Sequence, residues 1–121
     1  MSEKPFSLVV EDDPDLANIF SEAVNAAGFK TDIIVNGRLA LERLKEIAPH
    51  LVILDMHLPE VSGRDILAYI RNEPRLDKTI VVIATADALM GEEMRDQADF
   101  VLIKPITFSQ LRDMSARLKP A

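Results

Sequence analysis

Hydrophobic positions along the chain alternate between two periods. Phe6-Ser7-Leu8-Val9-Val10 is a short run rich in β-branched residues, which predicts a buried strand. Asp13-Pro14 then predicts a helix start, because Asp can cap the first free N–H groups and Pro suits the first helical position. Leu16, Ile19, Phe20, Ala23, Val24 and Ala27 follow at helical spacing and build one apolar face. Gly28 stops that helix, since it takes the left-handed conformation at no steric cost.

The cycle then recurs. Thr31–Val35 predicts a second strand. A helix opened by Asn36-Gly37 follows, with Ala40, Leu41, Leu44, Ile47 and Ala48 on one side, and is ended by Pro49. Leu51–Leu54 is apolar at every position, as expected of a strand covered on both sheet faces. Ser62 caps a third helix carrying Ile66, Leu67 and Ile70. Ile80–Ala84 reads as the fourth strand, Ala88–Gln97 as a weak helix interrupted by Gly91, and Phe100–Ile103 as the fifth strand. Thr107 with Gln110 forms a capping-box signal for a last helix with Leu111, Met114 and Leu118 inward, closing before Lys119-Pro120-Ala121. Phe100 is expected in the core.

Five β–α units in a row predict an α/β fold, a parallel sheet with helices on both faces, and right-handed crossovers leave few topologies. The 121 residues, 48% of them apolar, suit one domain spanning residues 1–121. The chain has no cysteine, which excludes a disulfide framework and a thiolate metal site. No apolar run approaches the roughly 20 residues a membrane span needs. Met1-Ser2-Glu3-Lys4-Pro5 leads into no signal-peptide core, so a cytoplasmic location without membrane contact is expected. The net charge of −6 repels phosphate backbones on average, so direct nucleic-acid binding is not expected.

In folds of this kind the ligand site lies outside the carboxyl ends of the strands. Glu11, Asp12 and Asp13 follow the first strand, Asp55-Met56-His57 the third, Thr85 the fourth, and Lys104-Pro105 the fifth. Carboxylates crowded at one rim repel one another unless a cation sits among them. Hard oxygen donors in this number suit Mg²⁺ better than zinc or copper. Lys104 adds a fixed positive charge and Thr85 a hydroxyl donor. Such a set suits a phosphoryl group, whose transfer needs positioning and charge neutralisation more than covalent help. Asp55, ending the central strand, is the candidate nucleophile. Asp13, placed before Pro14, suits helix capping. An Asp-x-His reading of Asp55 and His57 as a zinc pair is weak, with His50 the only other histidine.

These residues resemble the receiver domain of a two-component response regulator. The resemblance rests on Val9-Val10-Glu11-Asp12-Asp13-Pro14, Leu54-Asp55-Met56-His57-Leu58-Pro59 with Gly63, Ala84-Thr85-Ala86 and Ile103-Lys104-Pro105, and covers essentially the whole chain. It implies a flavodoxin-like (βα)5 sandwich with strand order 2-1-3-4-5. It also implies a role for each rim residue. Asp55 accepts a phosphoryl group from a sensor histidine kinase. Glu11 and Asp12 hold Mg²⁺ with Asp55 and the His57 backbone carbonyl. Lys104 pairs with Asp55 or its phosphate, and Thr85 moves to the phosphate. Such a module catalyses only its own phosphorylation and dephosphorylation, and passes its state to a downstream effector or a histidine phosphotransfer protein. Homodimerisation stays open.

Two features depart from the family pattern. The position three before Lys104, often aromatic, is Val101, and Phe100 falls on the opposite sheet face. The Thr85–Lys104 stretch is short, so a short or distorted fourth helix is expected. His57 and Asp87 are expected to tune access to Asp55. Two other readings remain: a degenerate receiver acting only as a protein-interaction module, and a metal-dependent enzyme on phosphate esters.

Overall fold

The computed structural model describes residues 3–120, so Met1, Ser2 and Ala121 lie outside the described residues. Strands β1 (Phe6–Val10), β2 (Lys30–Ile34), β3 (Leu51–Leu54), β4 (Ile80–Thr85) and β5 (Phe100–Ile103) form one parallel sheet in the order β2-β1-β3-β4-β5. Helices α1 (Pro14–Ala26), α2 (Gly37–Glu46), α3 (Gly63–Asn72), α4 (Ala88–Glu93) and α5 (Phe108–Leu118) connect and follow them, with a 3-10 turn at Pro74–Leu76. This is the expected fold and strand order.

Side-chain alternation along the central strands divides the core into two layers. Leu8, Val10, Val52, Leu54, Val81 and Ile83 pack with Ala40 and Leu44 of α2 and with Ile66, Leu67 and Ile70 of α3. Val9, Leu51, Ile53, Val82 and Ala84 pack with Phe20, Ala23 and Val24 of α1 and Leu111 of α5. Ile66, Leu67 and Ile70 are fully buried. Each contributes about 1.5–3 kcal/mol relative to exposure, and truncating one to Ala costs about 2–5 kcal/mol.

The helix starts follow the capping chemistry read from the sequence. Asp13 Oδ1 accepts the N–H groups of Asp15 (2.9 Å) and Leu16 (3.3 Å), with Pro14 in the first turn. Asn36 caps α2 through Leu39 N (2.9 Å), Ser62 caps α3 through Asp65 N (3.3 Å), and Thr107 caps α5 through Gln110 N (3.1 Å). Gly28, at φ 105°, follows the end of α1 as expected.

Some bounds and one residue differ from the sequence expectation: β4 runs one residue further, to Thr85, and α2 ends at Glu46, before Ile47 and Ala48. β2 begins and ends one residue earlier, because Lys30 pairs opposite Phe6 and sets the register. α4 is short, as expected, but it stops at Glu93 rather than Gln97, and residues 94–99 run as turns and bends. Arg71 of α3 holds that turn segment. Its guanidinium donates to Gln97 O (2.6 Å), Thr79 O (3.2 Å) and Asp99 Oδ2 (2.8 Å). Phe100 is not a core residue but 40% exposed, because it begins the outermost strand and no further strand covers its flank.

Candidate functional site

The acidic residues are placed by extensions of the sheet ladder. Glu11 N donates to Ile34 O (3.0 Å) and Asp55 N donates to Val10 O (3.1 Å), which fixes both just past the ends of the paired central strands. Asp12 lies beside them and is exposed. One carboxylate oxygen from each of Glu11, Asp12 and Asp55 lies within 4.8 Å of the others. Asp13 stands apart from this set, since its side chain is engaged as the α1 cap.

Lys104 reaches the same point from β5. Its backbone N donates to Thr85 O (2.9 Å), and its ammonium lies 2.6 Å from Glu11 Oε1 and 3.2 Å from Asp55 Oδ2. The side chains of Glu11 and Asp55 are only 3% and 8% exposed, so this charge arrangement is shielded from water. Burial pushes the Glu11 carboxyl up from its ordinary value, with the Asp55 charge adding to the effect and the Lys104 bond opposing it. Burial by itself lowers the Lys104 ammonium, but the Glu11 bond and the Glu11 and Asp55 charges outweigh it and hold the group above its usual range. The acceptor loop is packed tightly from behind. A Cβ on Gly63 would lie 2.1 Å from Asp55 O and 2.7 Å from Met56 Cα, so α3 approaches the loop as only a glycine permits.

Thr85 ends β4, fully buried, with its Oγ1 accepting the N–H of Asp87 (3.2 Å). His57 N donates to Asp55 Oδ1 (3.4 Å), while the ring turns outward and places Nε2 2.7 Å from Asp87 Oδ2. The His57 ring is therefore a partner of Asp87, not of Asp55, and the Asp-x-His zinc pair does not form. The sequence reading set His57 and Asp87 near the site but missed that they bond to each other. Lys104 pairs with Asp55 as expected, but the reading missed the shorter bond from Lys104 to Glu11. Spacing alone carries no signal for either pairing, because both depend on side-chain reach across 30 and 93 residues of chain.

The donor chemistry fits a hard divalent cation. Three carboxylates face one ammonium, which leaves negative charge unbalanced, and all the available donors are oxygens.

This fold and rim define a receiver architecture, and known proteins agree. The family model described as the response regulator receiver domain matches residues 7–116, and the chain belongs to that family. It is 33% identical over 88 residues to the polar-differentiation response regulator DivK of Brucella anthropi, covering 73% of this chain and 72% of that protein. It is 33% identical over 123 residues to the phosphate regulon transcriptional regulatory protein PhoB of Rhizobium meliloti, covering 96% of this chain and 54% of that one, so it spans about half the length of PhoB. The BeF3-activated receiver domain of DrrB, a Thermotoga maritima OmpR/PhoB homolog, superposes with a TM-score of 0.84 at 26% identity, covering 96% of this chain and 97% of that one. Receiver domains are signalling modules of two-component response regulators that interact with histidine kinases and effectors, and generally bind Mg²⁺ at an acidic site. Among the described residues no helix is long and apolar enough to cross a membrane.

Proposed function

We propose that this chain is a phosphorylation-switched receiver in which Asp55 takes a phosphoryl group from the phosphohistidine of a sensor histidine kinase. The observation that carries the reading is the Asp55 carboxylate itself: shielded, at the end of a central strand, 3.2 Å from an ammonium and within a three-carboxylate cluster. An Asp55 oxygen attacks phosphorus and the P–N bond breaks. Its electron pair stays on the departing nitrogen, which leaves as neutral imidazole when the other ring nitrogen carries a proton. Glu11, Asp12, Asp55 and the His57 backbone carbonyl are the residues to hold Mg²⁺. The ion, when bound, neutralises charge on the equatorial phosphoryl oxygens. Lys104 pairs with the phosphoryl group from the other side, and the Thr85 hydroxyl donates to it. The acylphosphate carries a charge near −2 where the carboxylate carried −1, and spreads it over three exposed oxygens, which the partner-binding surface then reads. The partners are a kinase, and then an effector or a histidine phosphotransfer protein. Residues 1–121 act as one receiver unit at a cytoplasmic location.

The test is incubation with acetyl phosphate and Mg²⁺, followed by intact-mass analysis. The expected result is one added phosphate on the wild type and none on Asp55→Asn. An unlabelled wild type, or a variant labelled as well as it, overturns the reading.

Val101 at the usually aromatic position and the six-residue α4 favour one second reading, an interaction module that does not switch. Under it, beryllofluoride with Mg²⁺ leaves the spectrum of the wild type unchanged. The phosphate-ester enzyme has less support. The grooves of about 660 and 670 Å³ beside Lys4 lie at the amino ends of the strands, away from Asp55.

A further inference from the structure

Asp87 joins the acid rim to α4 through three bonds. Its Oδ1 accepts the N–H of Met90 (2.9 Å) and caps α4, its Oδ2 lies 2.7 Å from His57 Nε2, and its own N–H donates to Thr85 Oγ1 (3.2 Å). His57 N in turn donates to Asp55 Oδ1 (3.4 Å). A continuous chain of bonds therefore runs from the Asp55 carboxylate to the first turn of α4.

α4 depends on such support. It has six residues, far fewer than a helix needs to hold itself in water. Its seat on the sheet is made by Gly91, where a Cβ would lie 2.9 Å from Val101 Cγ1, 3.2 Å from Ile103 Cδ1 and 3.5 Å from Thr85 Cγ2. Arg64 of α3 also reaches α4, at 2.9 Å from Glu93 and 3.1 Å from Met90 Sδ, but these contacts are exposed and weak, and Met90 is only partly buried against the core. The Asp87 cap is the support that also touches the acid rim.

We infer that His57 and Asp87 form a latch that holds α4 on β5, and that a charged group added at Asp55 opens it and frees α4 from Val101 and Ile103. The inference rests on the acceptor role proposed for Asp55. Added negative charge repels the Asp87 carboxylate. The same charge draws away the imidazole and the hydroxyl that hold Asp87 in place. The cap is weakened, and a helix this short does not survive its loss. The output thus runs through a helix cap, in a chain whose β5 carries valine where an aromatic side chain is usual. Freed α4 uncovers the apolar surface of Val101 and Ile103 on which Gly91 sits.

Amide hydrogen exchange of α4 tests the latch in the full chain. His57→Ala keeps the cap oxygen and removes only the cross-link. Exchange at Gly91–Met94 is expected to rise about tenfold, the loss of one strong hydrogen bond. Asp87→Ala, which removes cap and cross-link together, is expected to rise further. Beryllofluoride with Mg²⁺ is expected to raise exchange of wild-type α4 at least to the His57→Ala level, toward that of Asp87→Ala, and to add less in His57→Ala, where the cross-link is already gone. Unaltered α4 exchange in His57→Ala overturns the latch. So does a wild type whose Asp55 and Lys104 signals shift with beryllofluoride while α4 stays protected. If those signals do not shift, the acceptor reading fails, and the His57→Ala arm still decides whether the latch exists.

Discussion

The Lys104 ammonium lies closer to Glu11 than to Asp55, at 2.6 Å against 3.2 Å. It therefore balances two shielded carboxylates at once, and the more buried of them holds it more closely. Replacing Lys104 with Met leaves both acids facing each other without a counter-charge. Stability is expected to fall by about 2 kcal/mol, less than the roughly 3–5 kcal/mol of a fully buried pair because the site opens to solvent on the Asp12 side. Millimolar Mg²⁺ is expected to restore part of the loss. Urea unfolding with and without Mg²⁺ measures both, and a variant as stable as the wild type contradicts the charge-balance account.

Asp12 differs from Glu11 and Asp55 in being exposed. Its carboxylate contributes to the acidic cluster while little of the fold rests on it. Asp12→Ala is expected to leave stability in Mg²⁺-free buffer within about 0.5 kcal/mol of wild type. Its effect appears on adding Mg²⁺. At ten times the wild-type Kd the ion stabilises by about 1.4 kcal/mol, and a tenfold weaker variant retains about 0.4 kcal/mol of that. Thermal melts across a Mg²⁺ series read the difference.

The elements that the sequence made legible are those governed by local chemistry. β1, β3 and β5 match their expected ranges because each apolar run is bounded by polar or turn residues. The caps at Asp13, Asn36, Ser62 and Thr107 were readable because capping is a one-turn interaction. The rim residues were legible through topology, since parallel strands bring their carboxyl ends to one edge. The α4 terminus was not, because Arg71 holds the following turns from 26 residues away. Phe100 was misplaced for a related reason: its apolar character says nothing about whether its strand has an outer neighbour. The bonds of Lys104 to Glu11 and of His57 to Asp87 are choices among nearby polar partners, which only the folded geometry decides.

Gly63 presses against the backbone of the acceptor loop. A methyl group there meets Asp55 O at 2.1 Å and Met56 Cα at 2.7 Å, neither of which is a side chain free to rotate away. Gly63→Ala is expected to cost about 3 kcal/mol through overpacking, and to displace the Asp55 backbone. The rate of labelling by acetyl phosphate is expected to fall even at temperatures where the variant is folded. Denaturant unfolding and the labelling time course check the two effects separately. Wild-type values for both contradict the close approach.

The Asp87 carboxyl is held below its ordinary value of 3.8, first by the Met90 N–H and then by the His57 bond. With the folded value depressed, the unfolded chain binds more protons in the window between the two values. The contribution of Asp87 to stability is therefore fully present above about pH 3.8, and is lost as pH falls through the depressed folded value. Asp87→Asn keeps a capping oxygen but cannot titrate, so its stability is expected to fall less steeply across that window. Acid unfolding curves of the two proteins provide the comparison. Parallel acid limbs rule the contribution out.

Arg71 supplies the order that a longer α4 would otherwise bring to the approach to β5. Its planar fork meets two carbonyls and the Asp99 carboxylate, and Asp99 Oδ2 also accepts the N–H of Val81 (2.8 Å) at the start of β4. Arg71→Met keeps much of the apolar stem and removes all three donations. The expected cost is about 2 kcal/mol, because charged hydrogen bonds are lost while the carbonyls near the surface regain water. Arg71→Lys is expected to recover less than half, since one ammonium cannot span the three acceptors. Hydrogen exchange at Val81 distinguishes a local effect from a general one: its amide loses protection in both variants, while Val9 and Ile53 in the core follow global stability alone.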